Sequence, residues 1–250
     1  MKSNYQGVSE EAARLVARHV LRKPSAVLAL PTGDTPKGMY RLLVRLHRAG
    51  LVNFSSVVTF NLDEYLGIPA DHPQSFATYM RDHFWGPVWL EEGKAHIPAS
   101  LPPDPEEECA RYEQLIEKAG GIDLAVLGIG HNAHIGFNEP GTPWDSHTHV
   151  TQLAETTRRR EAAAFGGLGS VPGQAITVGI KTIMHAQEVL LLASGEEKAR
   201  PLAGALTGPL DPQLPASVLQ LHPRLTVVAD QAAAGRLPAH ASGTAWPGTA

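Results

Sequence analysis

One cysteine, Cys109, stands in a chain of 250 residues. A lone thiol excludes an intramolecular disulfide and any multi-cysteine zinc or iron–sulfur centre, and it agrees with a reducing compartment. Charge is also scarce. Asp, Glu, Lys and Arg make up 18% of the chain, with 21 basic against 25 acidic residues and a net charge of −4. That balance gives neither the basic field that nucleic-acid binding requires nor the charge density of a disordered polyelectrolyte, so no nucleic-acid partner is expected. Long apolar runs are missing too. The longest uncharged stretch, Ala162 to Ile180, is broken by five glycines, Pro172, Ser170 and Gln174, which rules it out as a spanning helix. The opening MKSNYQGVSEEAARLV holds no signal-peptide core. A cytoplasmic protein with no membrane partner is expected.

What is present is a regular alternation of elements. Val8, Ala12, Leu15, Val16 and Val20 recur at helical spacing between Ser9 and the closing Arg22-Lys23-Pro24. The apolar run 25–30 then reads as a strand, Pro31 to Pro36 as a tight loop, and Met39, Leu42, Leu43 and Leu46 as one face of a helix that begins at Pro36 and stops at Gly50. Residues 56–60 predict a second strand, Phe76, Met80 and Phe84 share a helical face, and Asp104-Pro105 opens a helix with Cys109, Tyr112, Ile116 and Ala119 inward. Further buried-type strands are predicted over 123–129, 175–178, 189–192 and 225–228. Strands alternating with helices imply a three-layer, Rossmann-like α/β fold, its mainly parallel sheet held between helices. No linker divides the chain: one domain is expected over 1–234 and a flexible tail over 235–250.

Ligands of such sheets bind beyond the carboxyl ends of the strands, and three segments there carry polar residues that packing does not require. Thr32-Gly33-Asp34-Thr35 joins a strand to a helix, either as a phosphate cradle of backbone N–H groups or as an ordinary turn with Thr35 as N-cap. Asp63 and Glu64 follow a strand, as a partly buried general base or as a solvated loop. The third segment, Gly128 to Pro140, matches a dinucleotide fingerprint only formally, because Gly136, Pro140 and Gly141 interrupt the helix that fingerprint needs. His131, His134, His147 and His149 lack the spacing of a metal helix. His134 with Asn132 and Glu139 instead reads as a proton-transfer set, in which a carboxylate and an amide fix the imidazole tautomer.

Together LPTGDTPKGMY, TFNLDEYLG with HPQSFATYM, LGIGHNAHIGFNEPGT, ITVGIKTIMHAQEVLLLASGEEKA and PASVLQLHP before LTVVAD resemble the glucosamine-6-phosphate deaminase (isomerase) family, which shares a superfamily with 6-phosphogluconolactonases. The blocks run in order from Leu30 to Asp230. The resemblance implies a hexosamine-6-phosphate deaminase that converts glucosamine 6-phosphate, or its galacto epimer, and water to a ketohexose 6-phosphate and ammonia. Alternatives are a non-catalytic sugar-phosphate sensor and a 6-phosphogluconolactonase-like hydrolase. It further implies Asp63 as the base that moves a proton between C2 and C1, His134 as the ring-opening group with Glu139 and Asn132 as its partners, and Thr32, Gly33, Asp34, Thr35 and Lys198 as phosphate-binding elements. No metal and no organic cofactor is implied, the partner is a small sugar phosphate, and the assembly is a monomer or a homo-oligomer.

Three positions depart from the family pattern: Asp34 where Gly or Ser is usual, Ala133 where a glycine precedes the histidine, and Ala163 where many members carry a phosphate-binding arginine. If the stretch is helical, Arg159 and Arg160 share a face with residue 163, and Arg160 is the expected substitute; a solvated run of arginines is the alternative. Pro201 is expected to kink the helix after Lys198.

Overall fold

The computed structural model describes residues 1–238. A six-stranded parallel sheet runs in the order β4-β2-β1-β5-β8-β9, built from β1 (Val27–Leu30), β2 (Val58–Asn61), β4 (Ala95–His96), β5 (Leu124–Gly128), β8 (Glu188–Ala193) and β9 (Leu225–Ala229). Its strands are apolar without alternation because both faces are covered. Leu28, Leu30, Leu124, Val126, Leu190 and Leu192 pack against α1 (Tyr5–Arg22) and α2 (Asp34–Arg48). Val27, Ala29, Ala125, Leu127, Val189 and Leu191 face α4 (Pro105–Lys118), α6 (Ile180–Met184), α7 (Ala199–Thr207) and the 3-10 turn Pro215–Leu221. Asp104 caps α4 by accepting from the N–H groups of Glu106 and Glu107. Among the described residues no helix is long and apolar enough to cross a membrane.

The chain leaves β1 for β2 and β4 on one side, then returns to place β5, β8 and β9 on the other. Strand order therefore reverses between β1 and β5, and the loops leaving those two strands diverge to open a crevice. A second, antiparallel sheet of β3 (Asp63–Tyr65), β7 (Gln174–Thr177) and β6 (His149–Gln152) stands beside that crevice. The run 175–178, expected in the parallel sheet, lies mostly in β7 instead. There it pairs with β3, with Asp63 opposite Thr177.

Two local expectations change in detail. The face of Phe76, Met80 and Phe84 divides: α3 (Phe76–Met80) passes into a π-helical turn, Arg81–Trp85, with Met80 and Phe84 in the α1–α2 core and Phe76 on Tyr65 and Phe137. Pro201 kinks nothing, because α7 starts at Ala199 and places it in the first turn, where an N–H has no helical acceptor to lose. At the C-terminal end Leu237 packs on the core; the tail expected over 235–250 lies outside the described residues from residue 239 onward.

Candidate active site

A cleft of about 490 Å³ occupies the crevice and collects all three loops. At one end β1 runs through Pro31-Thr32-Gly33 into α2. The helix starts at Asp34 with Gly33 as N-cap and no side-chain cap, so Thr35 is a helical residue and not the expected cap. Gly33 has φ 97°, a left-handed conformation that a side chain would resist. The N–H groups of the first turn thus face the cleft without a capping oxygen, as an anion site requires. Tyr79 donates to the Gly33 carbonyl (2.6 Å) and Tyr5 to that of Asp34 (2.9 Å), which pins the loop. Asp34 turns outward: its carboxylate is 95% exposed and pairs with Lys37 at 2.7 Å.

Asp63 and Glu64 separate as neighbours on a strand must. Glu64 points to α3 and accepts from the N–H groups of Tyr65 (2.8 Å), Phe76 (3.0 Å) and Ala77 (2.9 Å). Asp63 lines the cleft, 6% exposed, with no hydrogen-bond or ion-pair partner for its carboxylate among the described residues. Burial, and secondly the charge of Glu64, push it up to about 8. Gly136, at φ 56°, carries the loop backbone over it; a Cβ there would lie 3.5 Å from Asp63 Oδ2 and 2.8 Å from Thr177 Oγ1.

His134 stands on that loop with its Nδ1 3.5 Å from Glu139 Oε2. Asn132 donates to the same oxygen (2.6 Å) and accepts from the His134 N–H (3.3 Å), while Thr157 donates to Glu139 Oε1 (2.7 Å). Burial alone would raise Glu139, but His134, Thr157 and Asn132 hold it down to about 2, so it stays ionised beside the imidazole. Gly130 makes room for the ring, since any Cβ there would overlap it. Ala133 adopts φ 64°, the glycine-type conformation its position demands, at zero exposure. His131 shares the cleft, its ring 6.0 Å from that of His134. His147 and His149 lie elsewhere, around the start of β6, and among the described residues no three His, Cys, Asp or Glu side chains gather as a metal site would need.

The three arginines diverge. Arg159 pairs on the surface with Glu155, and Arg158 donates to the carbonyls of Leu168 (3.2 Å) and Val171 (3.3 Å), fastening the segment after α5 (Glu155–Glu161). Arg160 lines the cleft from within α5; Ala163, beyond the end of that helix, does not line it. Lys198 lines the cleft from the N-cap of α7, and burial, with Arg160 adding to it, lowers its pKa. Sequence reasoning missed Thr157, Glu161 and the tyrosine that anchors Gly33. Thr157 and Glu161 lie four apart, a signal visible only once α5 and its cleft-facing side are known.

Residues 2–228 match the glucosamine-6-phosphate isomerases/6-phosphogluconolactonase family. The glucosamine-6-phosphate deaminase of Thermoanaerobacter pseudethanolicus is 45% identical over 235 residues, covering 94% of this chain and 93% of the relative. The solved structure of a monomeric glucosamine-6-phosphate deaminase superposes with a TM-score of 0.91 at 44% identity, covering 94% of this chain and all of that one. A 6-phosphogluconolactonase from Thermotoga maritima shares the fold, with a TM-score of 0.72 at 22% identity over 92% of this chain and 97% of its own. With the sequence blocks, the six-stranded parallel sheet and the cleft agreeing, this chain belongs to the glucosamine-6-phosphate isomerases/6-phosphogluconolactonase family.

Proposed function

We propose that this chain is a glucosamine-6-phosphate deaminase, producing a ketohexose 6-phosphate and ammonia from the amino sugar phosphate and water. One observation carries the reading: Asp63, a buried carboxylate with no partner among the described residues, shares a cleft with the His134–Glu139–Asn132 set and with an anion end made of Lys198, Arg160 and the uncapped start of α2. The phosphate seats at Thr32–Thr35 between the two cations. That binding energy, distant from the reacting carbons, aligns them. His134, placed beside ionised Glu139, transfers a proton at the ring oxygen to open the pyranose. Asp63 then takes the C2 proton and returns it to C1, giving an enolamine and then a ketimine; a carboxyl near 8 is basic enough to accept it and acidic enough to release it. Water adds to the ketimine and ammonia leaves, a hydrolytic last step that places the enzyme among hydrolases. The 45% identity to a named deaminase supports this over lactonase chemistry, to which the likeness is one of fold. A sensor has no use for an unpaired buried carboxylate. Incubation with glucosamine 6-phosphate and, separately, its galacto epimer tests the proposal: ammonia and ketose should appear in equal amounts from one of them, and saturable binding without either product overturns it.

A further inference from the structure

Helix α5 lines the cleft with Thr157, Arg160 and Glu161, and that face carries more than the mechanism uses. Thr157 reaches Glu139 at the proton-transfer end; one turn on, Arg160 and Glu161 line the cleft. Asp34 is paired with Lys37, and Glu139 accepts from Asn132 and Thr157. The Glu161 carboxylate has no hydrogen bond and no ion pair among the described residues, although the residue is only partly exposed. A desolvated carboxylate without a partner is costly to keep unless a ligand supplies donors.

Charged groups on several elements act on Glu161. Burial pushes the carboxyl up and Arg160 draws it back, while Asp34 from the start of α2 raises it and His134 from the loop after β5 lowers it; its charge is felt in turn by Tyr65 of β3. Lys198, Asp63, Lys37 and Glu197 are the other charged residues lining the cleft. Glu161 lies one turn past Thr157, which holds Glu139, and next to Arg160 on α5, so it lines the cleft between the proton-transfer end and the anion end. An opened sugar phosphate spanning those ends presents its secondary hydroxyls to that middle stretch. A hydroxyl donates to a carboxylate, and a charge-assisted bond of this kind discriminates strongly against an analogue that lacks the donor.

On the reading of the site as a deaminase, we infer that Glu161 is a specificity-determining residue that accepts hydrogen bonds from the secondary hydroxyls between the phosphate-bearing carbon and the reacting end of the sugar. The test is a cycle between residue and substrate. Ammonia release is measured for glucosamine 6-phosphate and for its 3-deoxy and 4-deoxy analogues, with the wild type, Glu161→Gln and Glu161→Ala. Removing the recognised hydroxyl should lower kcat/KM about ten- to a hundredfold in the wild type, the scale of a lost hydrogen bond to a charged group. In Glu161→Ala the same deletion should cost less than about threefold, and Glu161→Gln, which keeps an acceptor oxygen, should fall between. A purely structural role would slow all three substrates alike. Equal deoxy penalties in wild type and Glu161→Ala overturn the inference. Absence of ammonia from every substrate with the wild type defeats the deaminase reading itself, and this inference with it.

Discussion

Replacing Asp63 by Asn separates what the carboxylate does for the reaction from what it costs the fold. In the folded chain burial and Glu64 push this group from 3.8 up to about 8, and unfolding returns it to the ordinary carboxylate range. Between those limits the folded state binds more protons than the unfolded one, so stability falls as pH rises from about 4 to about 8 and is unaffected by this group below that window. Near neutrality the gap of about three pH units corresponds to about 4 kcal/mol; near pH 4.5 it has shrunk to about 1 kcal/mol. The nearly isosteric amide carries no charge to desolvate. Asp63→Asn should therefore be more stable than the wild type by an amount that grows with pH, reaching roughly 10 °C in Tm near neutrality for a chain of this size. Urea melts of both proteins near pH 4.5 and pH 7.5 measure it. Turnover moves the other way, with kcat falling by about 10²- to 10⁴-fold while binding persists, and wild-type kcat/KM should climb with pH until about 8 as the base ionises. A stability difference that is the same at both pH values would show that Asp63 is solvated, and the assignment of a desolvated base would fall with it.

Arg160→Ala should raise KM for the phosphorylated sugar more than tenfold, because one charge-assisted bond of about 1.5–3 kcal/mol is lost; Arg159→Ala, whose guanidinium pairs with Glu155 on the surface, should leave KM unchanged and is the proper control. Arg158→Ala is not a control, since it frees the carbonyls of Leu168 and Val171, and a thermal melt should register about 1 kcal/mol of lost stability. Thr157→Val removes the donor to Glu139 Oε1, leaving a buried charged acceptor unmatched; closed-ring glucosamine 6-phosphate should turn over at least tenfold more slowly, with an open-chain analogue spared. Equal losses on both substrates would place Thr157 outside the ring-opening assembly.

The loops were legible because each follows a strand that is apolar on both faces, and residues past such a strand's carboxyl end have no packing reason to be polar. Periodicity alone could not choose between Asp63 and Glu64; the strand pairing of β3 with β7 does, sending one carboxylate to the cleft and the other to the α3 N-terminus. The second sheet stayed hidden for the same reason in reverse. β3 is the three-residue stretch Asp63–Tyr65, two of them acidic, and β6 is His-Val-Thr-Gln, so neither carries an apolar signature and both are held by neighbours distant in sequence. The start of α2 was misplaced by two residues because Gly33 caps without a side chain, which leaves the Ser/Thr/Asp capping signal silent.

Each of the three departures from the expected family pattern has a local structural account. At Ala133 the left-handed backbone costs about 1–2 kcal/mol, yet the methyl lies fully buried in the core and returns about 0.8 kcal/mol, so alanine stands there at little net cost. Asp34 adds a negative charge beside the proposed anion site, but it occupies the first helical position, where the dipole favours it, and its exposed carboxylate pairs with the Lys37 ammonium three residues on. Its N–H group, which is what an anion uses, is untouched by the change of side chain. At Ala163 the helix has ended, and a side chain there begins from an exposed turn. Arg160 starts instead from inside α5, on the face whose Thr157 holds Glu139. A guanidinium fixed to that face is tied to the same element as the proposed ring-opening assembly, so any shift of α5 would displace the proposed phosphate contact and the Glu139–His134 geometry together. Coupling of KM and kcat in variants that disturb α5 is the consequence, whereas an arginine on the exposed turn would let the two vary separately.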